Sequence, residues 1–207
     1  LLEKFHETYG FYPQYPVADA GYGSYNNYIY CEQHGMKKYM KFTMFKKETT
    51  DKKYRDNPFR AVNFKIDEEG TLRCPAGKAF HFQYRRNVKG NQYGRQEEIY
   101  QCEDCTECPY AAQCKKTDKK RTIQLNHELT SMHQEVVENL ESIHGALLRM
   151  NRSIQSEGTF GILKNNRWYK RIVRKGMEQV RLEIFLVSIG YNLYKYYNKT
   201  LRIKKAA

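Results

Sequence analysis

Residues 15–45, YPVADAGYGSYNNYIYCEQHGMKKYMKFTMF, set the fold class of this chain. YPVAD (15–19) reads as a short buried strand that ends on Asp19. Gly21 and Gly23 break the chain into a turn directly after it. Residues 24–34 suit a short helix, with Ser24 placed to cap its start and Gly35 to stop it. MKKYMKFTMF (36–45) alternates well enough to predict a second strand. Strand, turn, helix and strand in that order mark an α/β fold. Asp19 then falls at the C-terminal end of a central strand, where α/β sheets place functional side chains. An Asp before Ala-Gly is also an ordinary turn former.

Downstream the texture changes. Residues 46–60 are polar, charged and Pro-containing, which suits a loop or linker. AVNFKID (61–67), the turn EEG and the resumed TLRC predict a hairpin. Residues 79–86 and 96–102 read as two more strands around the Gly-rich loop VKGNQYG. KKTDKKRTIQL predicts a basic turn and another short strand. Together these make a small β insert at 48–125, between a core part at 1–47 and helices at 126–207. After Asn126 the period becomes helical. Leu129, Met132, Val136, Leu140, Ile143 and Leu147 recur at spacings of three and four and predict one long amphipathic helix. A second helical segment is expected at 153–165. A third is expected at 177–198, with Met177, Val180, Ile184, Val187, Tyr191 and Tyr194 on one stripe.

The chain has 207 residues, 40% of them hydrophobic, with 36 Lys and Arg against 23 Asp and Glu for a net charge of +13. That length buries a real core without disulfide staples, and the composition excludes generic disorder. No apolar run approaches the roughly 18–20 residues that span a bilayer, so no membrane association is expected. The opening LLEKFHETYG has neither an initiating Met nor the pattern of a signal peptide, and the chain is expected to be a piece of a longer protein. From Gly158 to the end there are twelve Lys and Arg against only Glu178 and Glu183, which places +10 of the +13 in the last quarter. An excess so concentrated points to an anionic partner, nucleic acid above all.

Six cysteines add a second signal. Cys102, Cys105, Cys108 and Cys114 stand in the pattern C-x2-C-x2-C-x5-C, and Cys74 precedes Pro75 after a hairpin strand. Closely spaced thiolates suit tetrahedral zinc, with Zn–S about 2.3 Å. Disulfides, or unrelated buried thiols, are the alternatives. The expected ligands are Cys74, Cys105, Cys108 and Cys114, with Cys102 as the substitute, in a closed structural site. Cys31 falls in a helix and is expected to pack in the core. His127, His133 and His144 have no ligand spacing and are expected to pack or to lie on the surface.

Glu157 lies in RSIQSEGTFGILKNN (152–166), with Lys164 seven residues on and so on the same helical face. Behind it, 164–175 carries Lys164, Arg167, Lys170, Arg171, Arg174 and Lys175 with no acid, and Trp168 and Tyr169 are interleaved. Cations neutralise phosphates, and aromatic rings can stack on an unpaired base. KKTDKKR (115–121) offers a second phosphate contact. Lys195, Lys199, Arg202, Lys204 and Lys205 form either a DNA-binding arm or a frayed tail.

VADAGYGSYNNY (17–28) together with RSIQSEGTFGILKNNRWYKRIVRKGMEQVRLEIFLVSIGYNLYK (152–195) resembles the DDE transposases of bacterial insertion sequences. It is similar to the branch with a cysteine-bearing insert between the second and third catalytic acids. The resemblance covers nearly the whole chain and implies a ribonuclease-H-like fold, here a C-terminal part with an inserted zinc-binding β subdomain. The second acid follows a core strand in an Asp-x-Gly-Tyr block, which implies Asp19. The third sits in a helix with Lys seven positions on, which implies Glu157 and Lys164. The related signature has Tyr, two residues, Arg, three residues and Glu. Here Arg152 precedes Glu157 by four intervening residues, and the Tyr position holds Arg149. The first catalytic Asp should lie upstream, yet residues 1–18 contain no Asp.

The implied reaction is metal-dependent cleavage of transposon-end DNA and its transfer to target DNA. Mg2+ or Mn2+ would be held by Asp19, Glu157 and the missing acid, because hard cations take oxygen ligands. The chain alone is expected to be weakly active or inactive. The resemblance further implies a homodimer in the full-length protein and a bacterial cytoplasmic, nucleoid-associated location. A non-catalytic zinc-containing DNA-binding remnant of a transposase and a ribonuclease-H-like nuclease are the rival readings.

Overall fold

The computed structural model describes all residues except 116, 118, 162–168, 170 and 207, and omits the side chains of 156, 157, 159, 160 and 204–206. The described chain divides into two compact units, Leu1–Leu148 and Arg149–Ala207.

The first unit opens with helix α1 (Leu2–Tyr9), for which the sequence carries no local start signal. Leu1 provides no side-chain cap. Glu3 holds α1 in place by accepting hydrogen bonds from the Tyr30 and Tyr12 hydroxyls. Strand β1 (Val17–Ala18) pairs in parallel with β2 (Tyr39–Met40), and helix α2 (Tyr25–Gln33) connects them. Ser24 caps α2, accepting from Asn27 N–H at 3.4 Å, and Gly35 follows its end at φ 65°. The expected strand at 36–45 is reduced to Tyr39–Met40. Its alternation does not correspond to two different faces: Tyr39 and Met40 are both buried, as in a parallel strand covered on both sides.

The loop expected at 46–60 contains two short helices, α3 (Phe45–Thr50) and α4 (Lys52–Arg55). Asp51 ends the first and caps the second, accepting from Tyr54 N–H at 3.0 Å. The Arg60 guanidinium pairs with Glu48 and lies 4.1 Å from the Tyr54 ring centre. A single 3-10 turn at Ala61–Asn63 takes the first part of the expected hairpin strand. Then comes an antiparallel sheet in sequential order: β3 (Lys65–Ile66), β4 (Leu72–Arg73), β5 (Ala79–Asn87), β6 (Gln96–Cys102) and β7 (Thr122–Leu125). A one-turn helix, α5 (Ala111–Cys114), lies between β6 and β7. The β5–β6 register slips between Phe82 and Tyr84, a bulge in the long hairpin.

Helix α6 (His127–Glu141) starts on Asn126, whose side chain accepts from Leu129 N–H at 2.6 Å. The single long helix of the sequence reading is broken at Ser142, and α7 (Ile143–Gly161) follows. Ser142 serves both ends: its hydroxyl donates to Asn139 O at 2.6 Å and accepts from Gly145 N–H at 3.0 Å. A Cβ on Gly145 would lie 2.0 Å from Asn139 O, so only glycine allows this reversal. The second helical segment therefore starts ten residues before its expected position, and Ile143 leaves the apolar stripe, 85% exposed.

The interior of the first unit has two clusters. One joins Tyr25, Tyr28, Cys31, Tyr39, Met40, Phe42 and Phe45 to Met132, Val136 and Leu140 of α6. The other lies under the sheet and contains Phe64, Leu72, Phe80, Cys102, Ile123 and Leu125. Cys31 is fully buried, as expected, and burial pushes its thiol up to about 11.

Lys38 is 4% exposed and links α2 to α6 by pairing with Glu32 and Glu135. Burial works against its charge, but the two carboxylates outweigh that and raise its pKa. Lys38→Ala should cost about 2–3 kcal/mol in chemical denaturation, toward the low end for breaking a buried pair, because both carboxylates can turn to water. His133 stacks on Phe42 with ring centres 4.0 Å apart, and burial lowers its pKa. It stays neutral in the fold while the unfolded chain takes up a proton. Stability is therefore full above about pH 6.5 and declines as pH falls below it. Melting temperature measured against pH should show that decline, and His133→Phe should flatten it.

The second unit contains the end of α7, a segment without regular structure at 171–176, and helix α8 (Met177–Ala206). The helix expected at 177–198 therefore runs on to residue 206 through the segment expected as a DNA-binding arm or a frayed tail, and Lys195 lies over the Tyr191 ring. Among the described residues, no helix is long and apolar enough to cross a membrane.

Candidate active site and nucleic-acid interface

Asp19 directly follows β1, is exposed, and opens a turn in which Tyr22 N–H donates to the Asp19 carbonyl at 3.0 Å. Lys41 N–H donates to Ala18 O at 3.2 Å, so the residue before Asp19 is tied to the end of β2. Gly23 completes the turn by packing against the same strand end. A Cβ there would lie 2.0 Å from Lys41 O and 2.6 Å from the Tyr28 hydroxyl. That hydroxyl is buried and donates to Met40 O at 2.9 Å. The carboxylate is thus presented at the C-terminal edge of a parallel strand pair by backbone that has little freedom to move.

Glu157 lies on α7, one turn before its end, in the second unit. Its side chain lies outside the described residues, as do Lys164, Arg167, Trp168 and Lys170. Asp19 is an exposed oxygen donor of the kind Mg2+ takes. Among the described residues, no three or more His, Cys, Asp or Glu side chains come together to hold a metal.

That finding bears on the cysteines. The expected zinc set of Cys74, Cys105, Cys108 and Cys114, with Cys102 in reserve, is not gathered into one site. Cys102 is buried in the sheet cluster, where its thiol donates to Asp104 O at 3.3 Å. Burial, with the hydrogen-bonded Cys105 thiol beside it, pushes Cys102 up to about 12. Cys74 and Cys105 pack against the same cluster. Arg121 donates its backbone N–H to Cys105 Sγ at 3.5 Å and its guanidinium to Cys114 Sγ at 2.7 Å and to Phe59 O, and lies over the Phe64 ring. The described thiols are therefore not gathered as a four-thiolate site would need. All six cysteines are free thiols. Arg121, in the second phosphate contact expected at 115–121, is half-buried with its guanidinium on Cys114 and Phe59 O, and residues 116 and 118 of that stretch lie outside the described residues.

Arg171, Arg174 and Lys175 are described and exposed. Their segment is held by a residue that the sequence reading counted only as one of two acids. Glu183 on α8 accepts from the Tyr169 hydroxyl at 2.8 Å, from Val173 N–H at 3.0 Å and from Arg174 N–H at 2.8 Å. Those two backbone donors, led by Val173, hold its carboxyl below the usual range. An acid eight residues after the last cation of the basic run was the available signal.

A family model described as the transposase DDE domain aligns with residues 73–197. The matched range takes in the cysteine run, α6, α7 with Glu157, the basic segment and most of α8, and leaves the Asp19 block outside it. No curated protein and no solved structure matches the chain. The match covers more than half of the sequence, and the chain belongs to the transposase DDE domain family.

Proposed function

We propose that this chain is the C-terminal part of a DDE transposase that cuts DNA at insertion-sequence ends and transfers the freed end to target DNA. The family match running through Glu157 carries this reading. The exposed Asp19 at the carboxyl edge of β1 supports it. In this reading 1–47 and 126–207 belong to a ribonuclease-H-like core, and 48–125 is its β-rich insert.

The reaction needs an attacking and a leaving oxygen in line at phosphorus. Asp19 and Glu157 are the residues that would hold Mg2+ or Mn2+, together with a first acid from outside residues 1–18. The metal supplies neutralisation of charge on the reacting oxygens. The chain supplies position: the anchored turn after β1 limits the wander of the Asp19 carboxylate, and misplacement of about 1 Å in such a group is costly. Lys164 would contact a phosphate near the scissile bond. Arg167, Lys170, Arg171, Arg174 and Lys175 would bind phosphates along the strand, with Trp168 available to stack on a base.

The test uses labelled insertion-sequence-end DNA, Mg2+, and the chain complemented with a segment carrying the first acid. Strand breaks that need both the metal and Asp19 support the reading. Binding without breaks would favour the non-catalytic remnant.

A further inference from the structure

Glu183 is one of only two acids in a stretch that carries twelve cations. A carboxylate beside a phosphate-binding surface repels the ligand, so by charge alone it should weaken binding. Its contacts give it a different part. One carboxylate gathers three donors from residues outside any helix or strand: the Tyr169 hydroxyl and the backbone N–H groups of Val173 and Arg174. Among the described residues Glu183 is the acceptor of both backbone donors, and donors left without partners are costly once water is excluded. Gly176, at φ 83°, turns the chain into α8, and Val180 N–H closes that turn on Gly176 O at 3.0 Å. Glu183 on α8 thus fastens the chain at 173–174, and Arg171, Arg174 and Lys175 around that point are exposed.

We propose that Glu183 is a positioning residue for the DNA interface, holding Tyr169 and 171–175 so that Arg171, Arg174 and Lys175 meet phosphates without first having to be ordered. The inference rests on the DNA-binding reading above. A preformed loop avoids the ordering cost that a slack basic segment meets on binding.

Charge and positioning make opposite demands, which permits a clean experiment. Glu183→Gln adds one unit of positive charge while losing the carboxylate's paired acceptors. Affinity for a mixed-sequence DNA duplex is measured against salt for the full chain, the Glu183→Gln variant and Tyr169→Phe, which removes one donor at constant charge. Positioning predicts that Glu183→Gln binds about tenfold more weakly, with a salt slope lower by about 1–2 because fewer phosphates are engaged. Tyr169→Phe should bind about two- to threefold more weakly, with unchanged helix content. Equal or tighter binding by Glu183→Gln overturns the proposal. If that variant loses helix, wild-type affinity in Tyr169→Phe overturns it instead. A third variant, with Arg171, Arg174 and Lys175 all changed to Ala, separates the two levels. If it binds as wild type, the interface reading falls and the positioning role with it. If it binds weakly while Glu183→Gln does not, only the positioning role is lost.

Discussion

Glu157→Gln should lower DNA cleavage by about a thousandfold while leaving DNA binding close to wild type. The substitution keeps the size of the side chain and one oxygen, and removes the negative charge a hard cation needs. Metal-assisted displacement draws several kcal/mol of transition-state stabilisation from the ion, and each loss of about 1.4 kcal/mol is a factor of ten. The effect should fall on the chemical step, so single-turnover cleavage is the measurement to make. Binding should survive because Arg171, Arg174 and Lys175 lie on a separate segment held by Glu183. A variant that cut at the wild-type rate would remove Glu157 from the active site.

Gly23→Ala carries the second large effect, and it acts through packing. The added methyl would meet Lys41 O at 2.0 Å, Lys41 C at 2.5 Å and the Tyr28 hydroxyl at 2.6 Å. Neither neighbour can give cheaply. Lys41 O is backbone at the end of β2, and Tyr28 is wholly buried and hydrogen-bonded to Met40 O. The turn itself must shift, at about 3 kcal/mol for an overpacked site. Asp19 opens that turn, so cleavage should fall by more than the lost stability explains. Chemical denaturation and cleavage measured well below the melting transition separate the two effects. Gly21→Ala is the control, since a Cβ there meets nothing within 4 Å.

The sequence made the first-core elements legible wherever a local device enforced them. Ser24 and Gly35 bracket α2 as read, and Asn126 starts α6. The acid at the end of β1 was readable from strand, turn and helix order. The break at Ser142 was not, because Ile143 and Leu147 continue the apolar spacing past it. What decides the break is a hydroxyl that caps in both directions and a glycine against Asn139, and both depend on the reversal itself. The helices at 45–55 were hidden in a charged stretch whose Asp51 cap and Glu48–Arg60 pair act only once folded. The cysteine spacing suggested a metal, but spacing does not say which partner reaches a sulfur, and Arg121 reaches Cys114. Glu183 was counted for its charge, while its structural part depends on backbone donors ten residues away.

The central claim is that Asp19 and Glu157 serve one metal. It is tested most directly by replacing Mg2+ with Fe2+ in the complemented protein and mapping backbone cuts made by the short-lived radicals the iron generates. Cuts beside both residue 19 and residue 157, suppressed together by excess Mg2+, are the expected result. Cuts at only one of the two, or at neither while the protein binds Mg2+ and cleaves DNA, would contradict it.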